Sequence, residues 1–437
     1  MAKLMLDWDV RQFGTEKFKW FNTMQQQENK KSAVTGSELQ PGPQLICNVE
    51  DRKSGLLGFL VIDTTIDGRC CGGLRMMPDV SLPGISSLAR SMTFKFGFAQ
   101  SAIGGAKAGI VADPEDSLDR KRQLLAVFGQ AVKPLLKSGC YSPGPDIGIT
   151  PADVRFMLAS ADIKVPDRVF STNSGFYTGL TVLASAMGAA QHIDMNLSGA
   201  SLAVEGFGAV GSSVARVFSV KGVKVVAIST ALGAIYNEKG LDVDKLIELY
   251  NRLGSRVVET YSDAGRMDRD KILELKVDLL SPCASYHSIT AANAGRVAAR
   301  IICPGANIPA SPEAEQILSQ RGIISVPDFV ANCGGIMALI MDAAGREFAQ
   351  NIIENRIAPR VTQLLKEAES SGLPPKKYAE KIAAERFVNL KAKAERGETR
   401  LFMKSARFAF RNYRKPLPQF PATLLSRWHA QKRISCI

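Results

Sequence analysis

The 437-residue sequence predicts an α/β protein with two domains, of which the second is built on a parallel sheet. The chain is long and 46% of its residues are hydrophobic, so it can bury more than one core. Residues 198–230 have the pattern of a strand, a glycine turn, a helix and a second strand, which is the βαβ unit of parallel sheets. Apolar segments continue to alternate with turn and helix signals up to about residue 330, which extends the predicted sheet.

The first part of the chain predicts strands and a helix around a glycine-rich loop. Residues 45–65 alternate and cluster apolar residues like paired strands. Residues 84–101 carry apolar side chains at helical spacing, with Ser86 or Ser87 as the expected N-cap. The segment that follows, at 104–109, is expected to be a loop that places one lysine among three glycines.

Further helices and strands follow in alternation. Residues 119–138 predict an amphipathic helix that ends at Gly139, and a loop rich in proline and glycine then contains Asp146. From Gly175 a helix with small residues on one side comes before the βαβ unit. Later segments typical of strands are VDLLSPCAS, ARIICPGAN and GIISVPDFV. The chain then predicts long helices to about residue 395.

Composition excludes several kinds of protein. No apolar run approaches the roughly 18 residues of a membrane span, so we expect no transmembrane helix. The N-terminal residues are acidic in places and have no apolar core, so we expect neither a signal peptide nor a transit peptide. Eight cysteines form no CxxC pair, which is typical of reduced thiols in a cytoplasmic protein without structural zinc. With only three histidines and no expected metal, proton transfer would rely on lysine and carboxylates.

The positive charge is concentrated in a C-terminal tail. Residues 391–437 hold 12 Lys or Arg against 2 Glu, so they carry +10 of the net charge of +13. Within 396–437, basic and aromatic side chains are interleaved, as contacts to nucleic acid require. A solvated or intersubunit extension is the simpler interpretation, and we favour it over nucleic-acid binding.

A glycine fingerprint indicates a dinucleotide site. Gly206 permits a tight turn, Gly208 lets the backbone approach a pyrophosphate, and Gly211 brings helix and strand together. The predicted phosphate-binding turn comprises Gly206, Phe207, Gly208, Ala209, Val210 and Gly211. The second strand ends at Ser229 and Thr230, where an acidic residue would normally hold the ribose hydroxyls. Neither residue is acidic, so the choice between NAD and NADP stays open.

Lys107 allows two interpretations. A lysine in a flexible surface loop would be the simple one, and a phosphate-binding GxxxxGK[ST] loop is excluded because Ala108 follows the lysine. Lys95 lies twelve residues earlier, and Asp146 stands alone in a tight loop. Two lysines close together in an apolar cleft lower each other's pKa, which would make one of them a usable base.

Seven motifs in order give the chain a resemblance to a known family. The motifs are GGLRMMPDV (72–80), MTFK (92–95), IGGAKAGI (103–110), PGPDIGIT (143–150), GFGAVG (206–211), PGANIP (304–309) and VPDFVANCGG (326–335). With these motifs the chain resembles the glutamate/leucine/phenylalanine/valine dehydrogenase family over about residues 40–350. The resemblance implies oxidative deamination of an amino acid with NAD or NADP as the cofactor.

The resemblance also implies roles for individual residues. Lys95 would bind the substrate α-carboxylate, Lys107 would activate water, and Asp146 would carry a proton to and from the amino nitrogen. Gly72 and Gly73 would line the substrate pocket. The implied cofactor contacts outside the glycine turn are Thr178, Ser229, Thr230, Cys283, Ala284, Asn307 and Asn332.

The domain organisation implied by the resemblance has four parts. Residues 1–170 would form a substrate-binding and oligomerisation domain, and residues 171–332 a Rossmann-type dinucleotide-binding domain. Residues 333–395 would return as helices to the first domain, and residues 396–437 would form the basic aromatic tail. The partners implied are an amino acid, its 2-oxo acid, ammonia and further copies of this chain.

Two positions of the sequence indicate which kind of side chain the substrate carries. Glutamate-using members of the family place a lysine where this chain has Cys71, and a serine where it has Leu339. Burial of a substrate carboxylate without a cation would be costly, so we expect an aliphatic or aromatic side chain. Glutamate is the alternative substrate. The alternative to an enzyme is a regulatory or assembly protein that binds a dinucleotide without catalysis.

Overall fold

The computed structural model describes residue 39 and residues 41–165 and 173–398, and it has two sheets. The strands of the first sheet are β1 (Leu45–Asp51), β2 (Leu56–Ile62), β3 (Cys70–Met77), β4 (Gly104–Val111) and β5 (Tyr141–Pro145). Their spatial order is β1-β2-β4-β3-β5. The pairs of β3 with β4 and with β5 are parallel, and the pairs that involve β2 are antiparallel. Sheet and helices bury a core that contains Leu60, Leu74 and Phe128.

The expected loop at 104–109 is strand β4, so that prediction was wrong. β4 lies inside the sheet and pairs with β2 on one side and β3 on the other. A Cβ on Gly105 would lie 2.3 Å from the backbone nitrogen of Thr93, so glycine allows a helix to cross this strand closely. Glycine here serves close packing on a rigid strand instead of loop flexibility.

We call the first sheet and its helices the first region, and the second sheet and its helices the second region. The helices of the first region are α1 (Leu82–Phe98), α2 (Leu118–Ala131), α3 (Lys133–Lys137) and α4 (Pro151–Ser160). Helix α1 begins earlier than expected, because Ser81 is the N-cap and its Oγ accepts from the nitrogen of Gly84. Ser86 and Ser87, the expected caps, donate instead to backbone carbonyls within the helix. The single helix expected over 119–138 is divided, because Pro134 has no N–H to continue the hydrogen bonding.

The second sheet is mainly parallel, which confirms the predicted fold class. Its strands are β6 (Ser201–Glu205), β7 (Lys224–Thr230), β8 (Gly233–Tyr236), β9 (Gly265–Met267), β10 (Leu279–Pro282), β11 (Ile301–Ile302) and β12 (Ile324–Ser325). The spatial order is β12-β11-β10-β6-β7-β8-β9. The first five strands in this order are parallel, while β8 is antiparallel to both of its neighbours.

Helices cover the second sheet and lead back to the first region. They are α5 (Ser174–His192), α6 (Ala209–Val220), α7 (Val243–Leu253), α8 (Val257–Thr260), α9 (Ala291–Ala294), α10 (Pro312–Gln320), α11 (Asp328–Ala331), α12 (Gly334–Ala344), α13 (Arg346–Ser371) and α14 (Pro375–Glu395). Two short 3-10 helices cover Gly254–Arg256 and Arg269–Glu274. Helix α13 packs along α5 and helix α14 along α1, so the C-terminal helices contact both regions.

Residues 399–437 of the predicted tail (396–437) lie outside the described residues, as do residues 1–38, 40 and 166–172. Within the described part of the chain, no helix is both long enough and apolar enough to span a membrane. Among the residues that the structure describes, no cysteine forms a disulfide.

Candidate active site

Three charged side chains meet on the first sheet and form what we call the charged cluster: Arg75, Lys107 and Asp146. Lys107 Nζ lies 2.7 Å from Asp146 Oδ2, and Arg75 Nε donates to the same oxygen at 2.8 Å. Arg75 is on β3, Lys107 is on β4, and Asp146 directly follows β5. These three strands are neighbours, so the sheet itself brings residues that are 71 positions apart into contact. Arg75 is a site residue that sequence reasoning missed.

Two glycines of β3 allow this close arrangement. A Cβ on Gly73 would lie 2.8 Å from Asp146 Cβ, so glycine makes room for the carboxylate. A Cβ on Gly72 would lie 1.6 Å from the carbonyl oxygen of Ala106, so Gly72 faces the backbone of β4. Both glycines were expected to line the substrate pocket. In the structure, Gly72 lies where β3 packs against β4, and Gly73 lies against Asp146.

Burial and charge together set the protonation of the cluster. Burial lowers the pKa of Lys107, and the neighbouring Asp146 only partly opposes this effect. Burial by itself would raise the pKa of Asp146, but Lys107 and Arg75 hold it well below its usual range. Asp146 is therefore a stable carboxylate, and Lys107 is the member of the cluster that can release a proton most easily.

Lys95 reaches from the first region to the second. It lies on α1, and its Nζ donates to Asn307 Oδ1 at 2.8 Å. Its side chain is buried, and burial lowers its pKa to about 8, although Asp328 acts in the opposite direction. Asn307 also accepts from Asn332 Nδ2 at 3.3 Å. The two predicted asparagines are thus next to the predicted carboxylate-binding lysine.

Asp328 is a second residue that sequence reasoning missed. Its Oδ2 accepts from the backbone nitrogen of Ile308 at 3.0 Å and from Ser91 Oγ of α1 at 3.3 Å. Its Oδ1 has no hydrogen-bond donor among the described residues, and Lys376 Nζ lies 3.9 Å away. This buried carboxylate links α1, the loop between β11 and α10 that contains Ile308, and helix α14. Its position in the VPDFVANCGG motif was visible, but the sequence did not reveal these partners.

An apolar cluster borders the lysines: Cys71, Met92, Phe96 and Ile103, with Ile336 packed against them. Met92 and Phe96 come from α1 and Ile336 from α12. Burial raises the pKa of Cys71 to about 12, so the thiol is neutral. Residue 339, the other predicted pocket position, is in α12, but the side chain of Leu339 lies outside what the structure describes.

The glycine turn has the geometry that a pyrophosphate needs. Gly206 has a φ of +88°, in the left-handed region that favours glycine. A Cβ on Gly211 would lie 1.8 Å from the carbonyl oxygen of Gly206, so turn and helix are in close contact. A Cβ on Gly208 would meet nothing within 4 Å, so the space in front of it is open. Gly208 is the N-cap of α6, whose first residues are Ala209 and Val210, so free N–H groups face this space.

Several predicted cofactor residues use their side chains within the protein. Ser229 Oγ accepts from the nitrogen of Gly206 at 3.0 Å, and Thr230 Oγ1 donates to the carbonyl of Ser255 at 2.8 Å. The Phe207 ring is buried and packs edge-on against Tyr250. Thr178 Oγ1 donates to the carbonyl of Ser174. The side chains of these residues therefore stabilise the protein around the turn. Because the Phe207 ring is buried, any contact of this residue with a dinucleotide would come from its backbone.

The remaining predicted cofactor residues lie beside the turn and the asparagines. Ala284 is the residue that a Cβ on Gly206 would meet, at 2.7 Å, and the nitrogen of Cys283 donates to the carbonyl of Glu205. Asn332 is buried, and its Oδ1 has no donor among the residues that the structure describes. A buried amide oxygen of this kind fits the carboxamide of a nicotinamide ring, which has an N–H to offer.

Two protein-family models together match most of the described chain. Residues 43–162 match the model described as the Glu/Leu/Phe/Val dehydrogenase dimerisation domain. Residues 172–396 match the model described as glutamate/leucine/phenylalanine/valine dehydrogenase. The glutamate dehydrogenase of Thermotoga maritima is 34% identical over 293 residues, which are 64% of this chain and 70% of that protein.

Solved structures share the fold. A hetero-hexameric glutamate dehydrogenase from Thermus thermophilus, in a Leu-bound form, superposes with a TM-score of 0.69 at 24% identity. That match covers 87% of this chain and 98% of the other. The L-tryptophan dehydrogenase of Nostoc punctiforme superposes with a TM-score of 0.55 at 25% identity, over 80% of this chain and 97% of the other. Together with the two family models, these matches show that the chain belongs to the glutamate/leucine/phenylalanine/valine dehydrogenase family, whose members are oxidoreductases that act on the CH–NH2 group.

Proposed function

We propose that this protein catalyses the reversible oxidative deamination of an L-amino acid with an aliphatic or aromatic side chain, using NAD or NADP. The amino acid, water and the oxidised dinucleotide give a 2-oxo acid, ammonium, the reduced dinucleotide and a proton. The single observation that carries the proposal is the buried contact of Lys107 with Asp146, close to a lysine that reaches the dinucleotide-binding region.

Lys95 would bind the α-carboxylate of the substrate. A protonated amine in a buried position attracts a carboxylate strongly, because little solvent screens the two charges. Its present partner is the neutral oxygen of Asn307, which a carboxylate can displace or share, since an ammonium has three donors. The fixed carboxylate would orient the Cα–H bond toward the second sheet.

Lys107 would act as the base that takes a proton from the attacking water. Its lowered pKa brings the neutral amine closer to working pH, as general base catalysis requires. Asp146, held as a carboxylate, would stabilise the lysine when it carries the proton and would accept a hydrogen bond from the substrate nitrogen. Arg75 would keep Asp146 in place and ionised.

The dinucleotide would lie along the carboxyl edge of the second sheet. Its nicotinamide ring supplies the hydride acceptor when bound. Gly208 and the first N–H groups of α6 would hold the pyrophosphate, and Asn332 would hold the carboxamide. Closure of the two regions would exclude water from the reacting atoms.

The apolar cluster supports a substrate without a charged side chain. Cys71 is buried and neutral, and its neighbours Met92, Phe96 and Ile103 offer no cation. A substrate carboxylate placed there would lose its hydration, and none of these four side chains would offer it a cation or a strong hydrogen-bond donor. Glutamate is the second candidate, because the relatives named above include glutamate dehydrogenases.

We also propose a homo-oligomer. β1 is an edge strand of the first sheet, and Ile46 on it and Leu57 on β2 are exposed apolar residues, 45% and 37% accessible. An exposed edge strand with apolar residues is suited to pairing with another chain. The cytoplasmic location and the domain boundaries given above stay predictions.

Steady-state kinetics test the proposed function. The full chain is assayed with leucine, valine, phenylalanine, tryptophan and glutamate, each with NAD and with NADP, by the absorbance of the reduced dinucleotide. We expect the highest kcat/KM with an aliphatic or aromatic amino acid. The highest kcat/KM with glutamate would contradict the argument on the side chain. No absorbance change with any amino acid, or with any 2-oxo acid plus ammonia, would contradict the enzymatic function and favour the regulatory alternative.

A further inference from the structure

A pocket of about 510 Å³ lies at one end of the second sheet, away from the charged cluster. It is lined by residues 231–233, which run from the end of β7 to the start of β8. Residues 266–270, from the end of β9 into the 3-10 helix that follows, complete the lining. Two arginines, Arg266 and Arg269, are part of its wall. We call it the arginine pocket.

The arginine pocket is at the same edge of the sheet as the glycine turn. β6 and β7 are parallel, and β7 and β9 both run antiparallel to β8, so β6, β7 and β9 end on one side. Ligands of open α/β sheets bind beyond the carboxyl ends of the strands. The turn and β7 are joined directly, because the nitrogen of Phe207 donates to the carbonyl of Ser229 at 2.7 Å.

Arg269 is also close to the last residue of β6. Burial raises the pKa of Glu205 to about 7, and both the Ser288 hydrogen bond and the charge of Arg269 oppose this rise. The charge of Arg269 thus acts on the residue that directly precedes the glycine turn in the chain. A dinucleotide with its pyrophosphate at Gly208 would extend its adenosine ribose toward the end of β7, beside the pocket.

The two arginines of the arginine pocket are exposed and form weak ion pairs with their neighbours. Arg266 Nη2 lies 3.9 Å from Glu259, and Arg269 Nε lies 3.1 Å from Asp270. The side chains of both arginines are about three-fifths exposed, at 60% and 58%. Exposed ion pairs of this kind contribute little stability, so a stronger anion can replace the carboxylates.

The end of β7 lacks the residue that would exclude such an anion. Thr230 occupies the position where an acidic side chain would hold the ribose hydroxyls and repel a phosphate. Its hydroxyl is engaged with the carbonyl of Ser255 and the nitrogen of Leu232. Asp268 and Asp270 line the pocket as well, but Asp270 is already paired with Arg269.

We propose that the arginine pocket binds the 2′-phosphate of the adenosine ribose, so that this protein prefers NADP(H) to NAD(H). The inference rests on the proposed function, because it assumes a dinucleotide along the glycine turn. Arg266 and Arg269 bind the phosphate oxygens through their paired N–H groups. Asp270 gives up its contact with Arg269 when the phosphate arrives.

The test is isothermal titration calorimetry of the full chain with two fragments, adenosine 2′,5′-bisphosphate and 5′-AMP. The fragments differ only in the 2′-phosphate, and their binding is measured without turnover. We expect the bisphosphate to bind at least about tenfold more tightly, with the difference reduced by added salt. Equal binding of the two fragments, or tighter binding of 5′-AMP, would overturn the proposal and favour NAD held by Asp268.

Single substitutions sharpen the test. Arg266→Gln and Arg269→Gln should each weaken the bisphosphate about tenfold and leave 5′-AMP within a factor of about two. Arg252→Gln is the matched control, since Arg252 is an exposed arginine of the same region, 68% accessible, and is not part of the pocket wall. A loss of affinity for both fragments alike would overturn the assignment of the arginines.

Calorimetric titrations of the full chain with NAD and with NADP, read beside the steady-state kinetics, separate this inference from the proposed function. If neither NAD nor NADP binds the full chain, the proposed function fails, and the inference fails with it. If NAD binds more tightly than NADP and the enzyme turns over amino acids, the proposed function stands and only the inference is overturned.

Discussion

The charged cluster on the first sheet and the arginine pocket on the second sheet both bring opposite charges together, but they differ in burial. In the charged cluster the side chains of Arg75, Lys107 and Asp146 are 8%, 3% and 13% exposed, and their contacts are 2.7–2.8 Å long. In the arginine pocket the arginines are about 60% exposed and their contacts reach 3.9 Å. Water screens the second set but hardly reaches the first.

The difference has consequences for function. Buried charges interact strongly, so they fix one another's protonation and position, as catalysis requires. Exposed charges can be rearranged at little cost, so they suit a region that selects among ligands. Substitutions in the charged cluster should therefore affect turnover, and substitutions in the arginine pocket should affect binding of the dinucleotide.

The largest effect is expected from Lys107→Met. This change removes the proposed base, so kcat should fall by about 10²–10⁴-fold. Asp146 keeps Arg75 as a partner, so the fold should survive, which thermal unfolding checks. Lys121→Met is the matched control, because Lys121 forms a 3.0 Å pair with Asp153 outside the site. A variant at Lys107 with unchanged kcat would show that the buried cluster is only structural.

Cys71→Lys should change the substrate instead of the chemistry. A cation in the apolar cluster would attract a side-chain carboxylate and disfavour an aliphatic one. The ratio of kcat/KM for glutamate to that for leucine should rise roughly 100-fold. Cys71→Ser, of similar size and without charge, should leave the ratio nearly unchanged. An unchanged ratio in a folded Cys71→Lys variant would place the substrate side chain elsewhere.

The pH dependence of kcat/KM should report Lys95. The folded-state pKa of Lys95 is about 8, below its usual value because of burial, so the amine is charged at lower pH and neutral at higher pH. Only the charged form attracts the α-carboxylate, so kcat/KM should decrease above pH 8, by about tenfold per unit. Lys95→Arg should move this decrease to higher pH, since arginine stays charged. A decrease that stays at pH 8 in the arginine variant would assign it to another group.

The smallest effect is expected from Gly208→Ala at the cofactor edge. The added Cβ would meet no protein atom within 4 Å, so the melting temperature should not change. The methyl group would enter the space expected for the pyrophosphate, and the Kd for the dinucleotide should increase several-fold. Gly295→Ala is the control, because a Cβ there also meets open space and Gly295 follows α9 instead of belonging to the turn. Unchanged affinity in the Gly208 variant would move the pyrophosphate away from this turn.

Local sequence patterns predicted much of the second region correctly. The βαβ unit and the fingerprint Gly206, Gly208 and Gly211 were correctly placed because strand, turn and helix are contiguous in the chain. Ser229 and Thr230 were correctly placed at the end of β7, but their hydroxyls bond within the protein. The backbone course followed from the pattern, whereas the hydrogen-bond partners came from other segments.

The first region shows where local reasoning stops. The segment around Lys107 was predicted as a loop because it is rich in glycine, yet it pairs on both sides as β4. Arg75 was visible in the GGLRMMPDV motif, but its partner Asp146 is 71 residues away. Strand alternation could have suggested that Gly73 and Arg75 share a face. It could not have identified β5 as the neighbouring strand.

The sequence by itself determined the family, the α/β class, the dinucleotide fingerprint and the identity of Lys95, Lys107 and Asp146 as candidates. These follow from residue types at fixed spacing, which the chain carries without reference to distant segments. Only the tertiary structure decided that Arg75 and Lys107 share one oxygen of Asp146. Only the tertiary structure showed that Asp328 connects three elements. It alone also brought Arg266 and Arg269 to the end of β7. Contacts between distant residues depend on which strands and helices become neighbours, and burial then sets the charge of the groups that meet there.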